Sequence, residues 1–496
     1  WLKLRSAAAM GIACSGNRCV NVESSVLVLV GPVIGDVTAS TANVLLEVDE
    51  DATVTCVATP VKAGSSASCR LKLRSGKPGV FTLKGLLPET EYNITFGPLA
   101  QVQLLELKER GCVVRTMPRD ADVRRLRLMA LSCDYPSRVS ETDENPWGRV
   151  AKICKAGECD VMLHLGDQIY TWENGCMTAA ERIMDTEKRP ECTKALRLKM
   201  QERASEHLKE SYYATWNLGA TATALAHSSH QMIWSDNDVT NDFTVARNVD
   251  GSQTFSPSYL SLGMHVYRQY QRSLWDPSCI HEDCSAQYHT SVVEEWHFHR
   301  YGPCGVFLID MRGNRISPDG TLYPGLPPIL SLRQKDAIKA AFASSDLTCM
   351  IICAEIPFIG ESPDGIVEKA MKLVFLKDHW PHQLDELIWL LDLCFEWKAE
   401  VKGREVILLG GDIHVSVDST ITDNSTGATI RHITTSPITN NVSNFFPALE
   451  GKIGDRYAYV HKAFPNQRTF CTIDLTFEEG GAVRSGIELV CVPSSS

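Results

Sequence analysis

Val161-Met162-Leu163-His164-Leu165-Gly166-Asp167-Gln168-Ile169-Tyr170 reads as a short, covered strand that ends abruptly in a glycine, a carboxylate and, three residues on, a phenol. Five other apolar runs end the same way. Leu126-Arg127-Leu128-Met129-Ala130-Leu131 leads into Ser132-Cys133-Asp134, and Gln231-Met232-Ile233-Trp234 into Ser235-Asp236-Asn237-Asp238. Val306-Phe307-Leu308-Ile309 leads into Asp310-Met311-Arg312, Met350-Ile351-Ile352-Cys353 into Ala354-Glu355, and Val406-Ile407-Leu408-Leu409 into Gly410-Gly411-Asp412-Ile413-His414. In α/β sheets, ligand sites form just beyond the carboxyl ends of the strands. Groups far apart in sequence are therefore expected to converge on one pocket. A single Asp after a strand reads first as a cap or turn former; six such endings together read as a site.

Around these runs the pattern alternates with helical periodicity, which predicts a layered α/β body. Leu196, Met200, Ala204, Leu208 and Tyr212 form one amphipathic stripe, and Leu384, Leu387, Ile388, Leu391 and Phe395 another; both are expected to pack against the core. Before Arg125 the texture differs. Val26-Leu27-Val28-Leu29-Val30, Asn43-Val44-Leu45-Leu46-Glu47-Val48, Ala52-Thr53-Val54-Thr55-Cys56-Val57 and Tyr92-Asn93-Ile94-Thr95-Phe96 predict a small β-sandwich. The expected organisation is an unassigned extension over 1–23, a sandwich over 24–116, a linker over 117–124 and a second domain over 125–496.

The chain has 496 residues, with Lys+Arg 49 against Asp+Glu 60 and a formal net charge of -11. That balance argues against a partner held by phosphate neutralisation, so no nucleic-acid-binding surface is expected. No stretch approaches the ~20 apolar residues of a membrane span. The start, Trp1-Leu2-Lys3-Leu4-Arg5, is too short an apolar segment for a complete signal peptide, and the chain reads as already processed. Eighteen cysteines, with close sets such as Cys14 and Cys19, Cys56 and Cys69, Cys176 and Cys192, and Cys279 and Cys284, show no paired CxxC ladder. Together with sequons at Asn93, Asn424 and Asn441, open to N-linked glycans, they predict a secreted or extracytoplasmic protein with several disulfides. The alternative is a cytosolic protein with buried, inert thiols.

Several carboxylates, a thiol, a phenol and an imidazole form a mixed O, S and N donor set suited to a transition metal, alongside a hard cation bound by oxygen. A carboxylate such as Asp167 can bridge two metals ~3.5–4 Å apart, the spacing of a phosphoryl-transfer clamp. Cys133 also reads as a disulfide partner or a small buried apolar side chain.

Gly166-Asp167-Gln168-Ile169-Tyr170, Trp234-Ser235-Asp236-Asn237-Asp238, Asp310-Met311-Arg312 and Gly411-Asp412-Ile413-His414-Val415-Ser416, in that order, resemble the PhoD-like (alkaline phosphatase D) branch of the calcineurin-like metallophosphoesterases. Gly31-Pro32-Val33-Ile34-Gly35, Asp378-His379-Trp380 and Ser436-Pro437-Ile438-Thr439-Asn440 extend the similarity, which covers nearly everything from about residue 25. The resemblance implies a four-layer αββα sandwich preceded by a small, fibronectin type III-like β-sandwich. It implies that Cys133, Asp167 and Tyr170 bind a ferric ion, and that Asp236, Asp412 and His414 complete a dinuclear or larger cluster with calcium; zinc and manganese are the alternative metals. Asn237, Asp238 and Arg312 are the expected catalytic groups, Arg312 steadying either the substrate phosphate or the carboxylates of the site. The implied activity is hydrolysis of a small phosphate mono- or diester by attack of metal-bound hydroxide.

Two positions depart from the family pattern. Asn237 stands where a histidine belongs, and an amide can donate a hydrogen bond but cannot protonate a leaving group. Glu355 adds a negative charge where a neutral polar residue is expected. These departures support a second reading, a catalytically weakened relative acting as an extracellular binding or structural protein. A serine esterase is set aside because no Gly-x-Ser-x-Gly elbow is present.

Overall fold

The computed structural model describes residues 24–171, 194–241, 257–281, 294–313, 328–359, 380–443 and 449–494. The extension over 1–23, the cysteines at 14, 19, 176, 192 and 284, and the Asp378-His379 pair lie outside them.

The first seven strands are β1 (Val28–Val37), β2 (Thr41–Val48), β3 (Ala52–Pro60), β4 (Ala67–Leu73), β5 (Gly79–Lys84), β6 (Glu91–Gly97) and β7 (Val113–Arg115). They form a three-stranded sheet, β1-β2-β5, and a four-stranded sheet, β4-β3-β6-β7, each antiparallel throughout. In β6 the strict alternation turns Tyr92, Ile94 and Phe96 inward to meet Val44, Leu46 and Phe81 of the facing sheet. This is the sandwich the β-branched runs predict. Helix α1 (Gln101–Arg110), between β6 and β7, has no counterpart in that expectation.

After a 3-10 turn at Asp120–Asp122, thirteen strands follow among the described residues. They are β8 (Arg125–Leu131), β9 (Val161–Leu165), β10 (Ser229–Ile233), β11 (His297–Tyr301), β12 (Cys304–Leu308), β13 (Cys349–Cys353), β14 (Glu405–Gly410), β15 (Ser416–Asp423), β16 (Thr429–Thr434), β17 (Glu450–Ile453), β18 (Tyr457–Phe464), β19 (Gln467–Phe477) and β20 (Val483–Pro493). One sheet runs β10-β9-β8-β19-β20 and the other β11-β12-β13-β14-β16-β15-β18-β17. The interleaved helices are α2 (Trp147–Lys155), α3 (Lys194–Trp216), α4 (Gly219–Leu225), α5 (Pro257–Tyr270), α6 (Leu332–Phe342) and α7 (Leu384–Glu400).

The two-residue period of the strands sorts the core into layers. Leu128, Ala130, Leu163 and Leu165 of one sheet meet Val306, Leu308, Ile351, Ile407 and Leu409 of the other. Their neighbours face away. Met129, Leu131 and Met162 pack under Trp147, Val150 and Cys154 of α2 and Ala224 of α4, while Phe307, Ile352 and Leu408 pack under Ile338 and Phe342 of α6 and Leu390 and Leu391 of α7. The result is the four-layer αββα sandwich, with helices on both outer faces. Val30, Val33 and Leu45 of the N-terminal sheets belong to the inter-sheet cluster, so the small sandwich shares a core with the large one.

Thirteen cysteines are described, and no two of them are joined in a disulfide. The expectation of several disulfides is not met among the described residues. The physical reason lies in their packing: Cys304, Cys349, Cys353 and Cys471 fill the inter-sheet core, Cys154 and Cys159 the α2 face and Cys394 the α7 face, as small apolar side chains.

Candidate metal centre

β8, β9, β10, β12, β13 and β14 all point their carboxyl ends to one side, and the residues just beyond them meet there. Donor atoms of Cys133, Asp167 and His414 all lie within 4.8 Å of one another, and so do those of Asp167, Asp236 and Asp412. Asp167 belongs to both groups. Tyr170 joins the first: its hydroxyl donates to Asp167 Oδ2 at 2.8 Å and lies 3.2 Å from His414 Nε2. The six residues proposed as ligands from the sequence are thus brought together.

The backbone is bent to achieve this. Cys133, Asp167, Asp412 and His414 have φ of 58°, 57°, 69° and 57°, four of the six left-handed non-glycine residues described. Such a conformation costs an L-residue roughly 1–2 kcal/mol, and strain of this kind collects where a site over-determines the chain. Gly166, at φ +84°, has no alternative: a Cβ there would stand 2.5 Å from Ser235 Cβ and 2.9 Å from Glu355 Cβ.

The donor set fits a cation. Burial first, and then the charges of Asp236, Asp412 and Asp238, push the Asp167 carboxyl well above its ordinary range. Burial likewise raises the Cys133 thiol and the Tyr170 phenol, and lowers His414 to about 4, leaving a neutral imidazole able to ligate. Asn237 lies on the same cluster. Its Nδ2 donates to Asp167 Oδ2 at 3.1 Å and Asp236 Oδ1 at 3.3 Å, while its buried Oδ1 has no hydrogen-bond partner among the described residues.

The other two expected catalytic residues are placed differently. Arg312 is buried, and its fork closes on Glu355, with Nε 2.7 Å from Oε1 and Nη2 2.9 Å from Oε2. Nη2 also reaches Ser235 Oγ at 3.4 Å and Asp236 Oδ1 at 3.5 Å, so the guanidinium steadies the carboxylates of the site. Glu355, the unexpected charge, is the partner that turns it there. Asp238 is expected among the catalytic groups, but its carboxylate is taken up by the scaffold. It accepts from the backbone N–H of Asp167 at 3.0 Å, of Gln168 at 3.2 Å and of Ser235 at 2.9 Å, and from Gln271 Nε2 at 2.8 Å. Ser235 and Asp238 form a capping box around the short turn Asp236–Asp238. Ser235 is therefore the cap of this turn.

Sequence reasoning missed three supports. Ser436 Oγ donates to Cys133 Sγ at 3.2 Å and accepts from the His414 N–H at 3.1 Å; Asn440 Nδ2 lies 3.5 Å from His414 Nε2; Gln271 holds Asp238. Ser436 and Asn440 stand in a stretch already noted for its similarity, whereas nothing local marks Gln271.

A family model described as PhoD-like phosphatase matches residues 128–467. The chain belongs to the PhoD-like phosphatase family. Among solved structures, one titled "Structure of PhoD" is similar over 94% of this chain and 92% of its own, at 14% identity and a TM-score of 0.55, which shows the shared fold. A second, titled as GAP50, the anchor in the inner membrane complex of Plasmodium, aligns over 75% of this chain and 90% of its own, at 11% identity and a TM-score of 0.33. No curated protein matches the chain. Membership of the PhoD-like family supports a phosphoesterase function, a hydrolase with a small-molecule substrate, and a metal-dependent site. No helix among the described residues is long and apolar enough to cross a membrane.

Proposed function

We propose that this PhoD-like chain is a metal-dependent phosphoesterase that hydrolyses phosphate mono- or diesters outside the cytoplasm. The observation that carries the reading is the pair of donor groups sharing Asp167, the arrangement a two-metal phosphoryl-transfer site requires. Cys133, Asp167, Tyr170 and His414 would hold one metal there, and Asp167, Asp236 and Asp412 would hold a second. The thiol, phenol and imidazole suit iron, and the carboxylates suit calcium, with zinc or manganese as alternatives. Bound there, metal supplies the positive charge that activates water and neutralises the phosphoryl oxygens.

The protein's own groups do the rest. Arg312, with Nη2 3.5 Å from Asp236 Oδ1, steadies that carboxylate. Asn237 gives its amide N–H groups to the Asp167 and Asp236 carboxylates and leaves the departing oxygen without an acid. The extracytoplasmic assignment is supported by the sequons alone, since Asn93, Asn424 and Asn441 are all exposed while most of the described cysteines pack as the cytosolic alternative expects. The second reading, a weakened homologue that binds without turnover, is favoured by Asn237 and by the engagement of Arg312 with Glu355.

Asp167→Asn tests the proposal, because it removes the charge shared by both groups while keeping the side chain's shape. The variant is expected to stay folded by circular dichroism and to lose bound metal and nitrophenyl phosphate hydrolysis together. Full metal content in Asp167→Asn would remove this residue from the site.

A further inference from the structure

Gln271 follows directly on α5, some distance along the chain from every group of the metal centre, and is completely buried. Its Nε2 makes two bonds at once, to Asp238 Oδ1 at 2.8 Å and to the Tyr212 hydroxyl at 3.0 Å. The orientation is fixed by chemistry, since only the NH₂ end of the amide can face a carboxylate. That choice leaves Gln271 Oε1 buried without a hydrogen-bond partner among the described residues. An unpaired buried carbonyl is a cost that packing alone does not explain.

Both partners of Nε2 are themselves held. Asp238 gathers the N–H groups of Asp167, Gln168 and Ser235, which are the peptide units on which the shared ligand Asp167 and the turn carrying Asp236 are built. On the other side, the Tyr212 ring of α3 stacks on Tyr270 with centroids 4.1 Å apart. The Tyr270 hydroxyl donates to Glu47, a fully buried carboxylate on β2 of the N-terminal sandwich, which also accepts from Tyr213 at 2.7 Å. A continuous arm of contacts thus runs from the small sandwich through α3 and α5 to the metal loops.

We propose that Gln271 is a positioning residue of the metal centre, fixing through Asp238 the peptide units that carry Asp167 and Asp236. It touches neither metal nor substrate, and the inference rests on the metal-site reading above. Partners one step behind metal ligands typically change affinity 10–100-fold when removed. Gln271 acts one step further back, so the lower end, about 10-fold, is expected.

The experiment is calorimetric titration of the metal-stripped full chain with Mn²⁺ alone, and with Zn²⁺ alone, for the native protein, Gln271→Met, Gln271→Asn, Asp238→Asn and the Asp238→Asn/Gln271→Met double variant. Met keeps the volume and loses the donor; Asn keeps the donor and falls short of Asp238. Both single variants at 271 should remain folded by circular dichroism and bind metal about 10-fold more weakly. The double variant should bind no more than about twofold more weakly than Asp238→Asn, because the two residues act along one arm. A purely structural role would lower the melting temperature and leave the affinity of the folded protein unchanged. Native-like affinity in folded Gln271→Met, losses that multiply fully in the double variant, or failure of both 271 variants to fold would each overturn the positioning role. A native chain that binds neither ion, nor iron or calcium titrated in their place, would overturn the metal-site reading itself, a distinct outcome visible before any variant is made.

Discussion

Asn237 sits with its Nδ2 against Asp167 and Asp236, at the heart of the cluster but without a proton to give. A positioned general acid is worth about 10²–10⁴-fold, and its loss weighs most on leaving groups that cannot depart as anions. Native protein should therefore hydrolyse nitrophenyl phosphate esters measurably and alkyl phosphates very slowly. Asn237→His should raise kcat/KM for the alkyl ester far more than for the nitrophenyl ester, compared at matched metal content. Brisk alkyl hydrolysis by the native protein, unimproved by histidine, would show that another group supplies the proton. At this scale the ligands were legible because all six lie within a few residues of four strand ends, those of β8, β9, β10 and β14. The direction of Arg312 and the burial of Asp238 among peptide amides were not, since both depend on partners, Glu355 and Gln271, that reach them only through the fold.

At the scale of elements, β9 and β10 lie side by side in parallel and place His164 and His230 in contact, with His164 Nε2 2.9 Å from His230 Nδ1. His230 Nε2 faces the carbonyl of Ala224 at 3.3 Å, so its proton belongs there and Nδ1 accepts from His164. Burial holds His230 down at about 4 and, with the neighbouring ring, His164 well below 6.5. The unfolded chain takes up these protons first. The stability owed to neutral histidines is complete above pH 6.5 and is lost as pH falls from there towards 4, with a slope of up to about 1.4 kcal/mol per pH unit for each group. Urea unfolding across that range should show the decline, and His230→Gln should flatten it; an identical slope in the variant would place the acid sensitivity elsewhere. The parallel strands were legible as apolar runs with polar endings. Helix α1 and the pairing of β19 with β8 were not: α1 has a weakly patterned sequence and no buried residue, and the β19–β8 pairing joins segments over three hundred residues apart.

Across the whole molecule, Val30, Val33 and Leu45 of the small sandwich lie in one cluster with Trp216, Tyr270 and Leu274, and Asn43 Nδ2 donates to the Leu274 carbonyl at 3.1 Å. Gly35 backs onto that same residue so closely that a Cβ would stand 2.2 Å from the Leu274 carbonyl oxygen. With no solvent layer between them, the two sandwiches should melt in a single calorimetric transition, and two resolved transitions would contradict the shared core. A consequence follows for deuterium labelling. When amides exchange only through global opening, any ligand that binds the native state slows them everywhere in the cooperative unit. Metal added to the stripped protein should therefore slow exchange at the innermost amides of β2 as much as at β9, making a strand of the N-terminal sandwich a reporter of occupancy at a centre it does not touch.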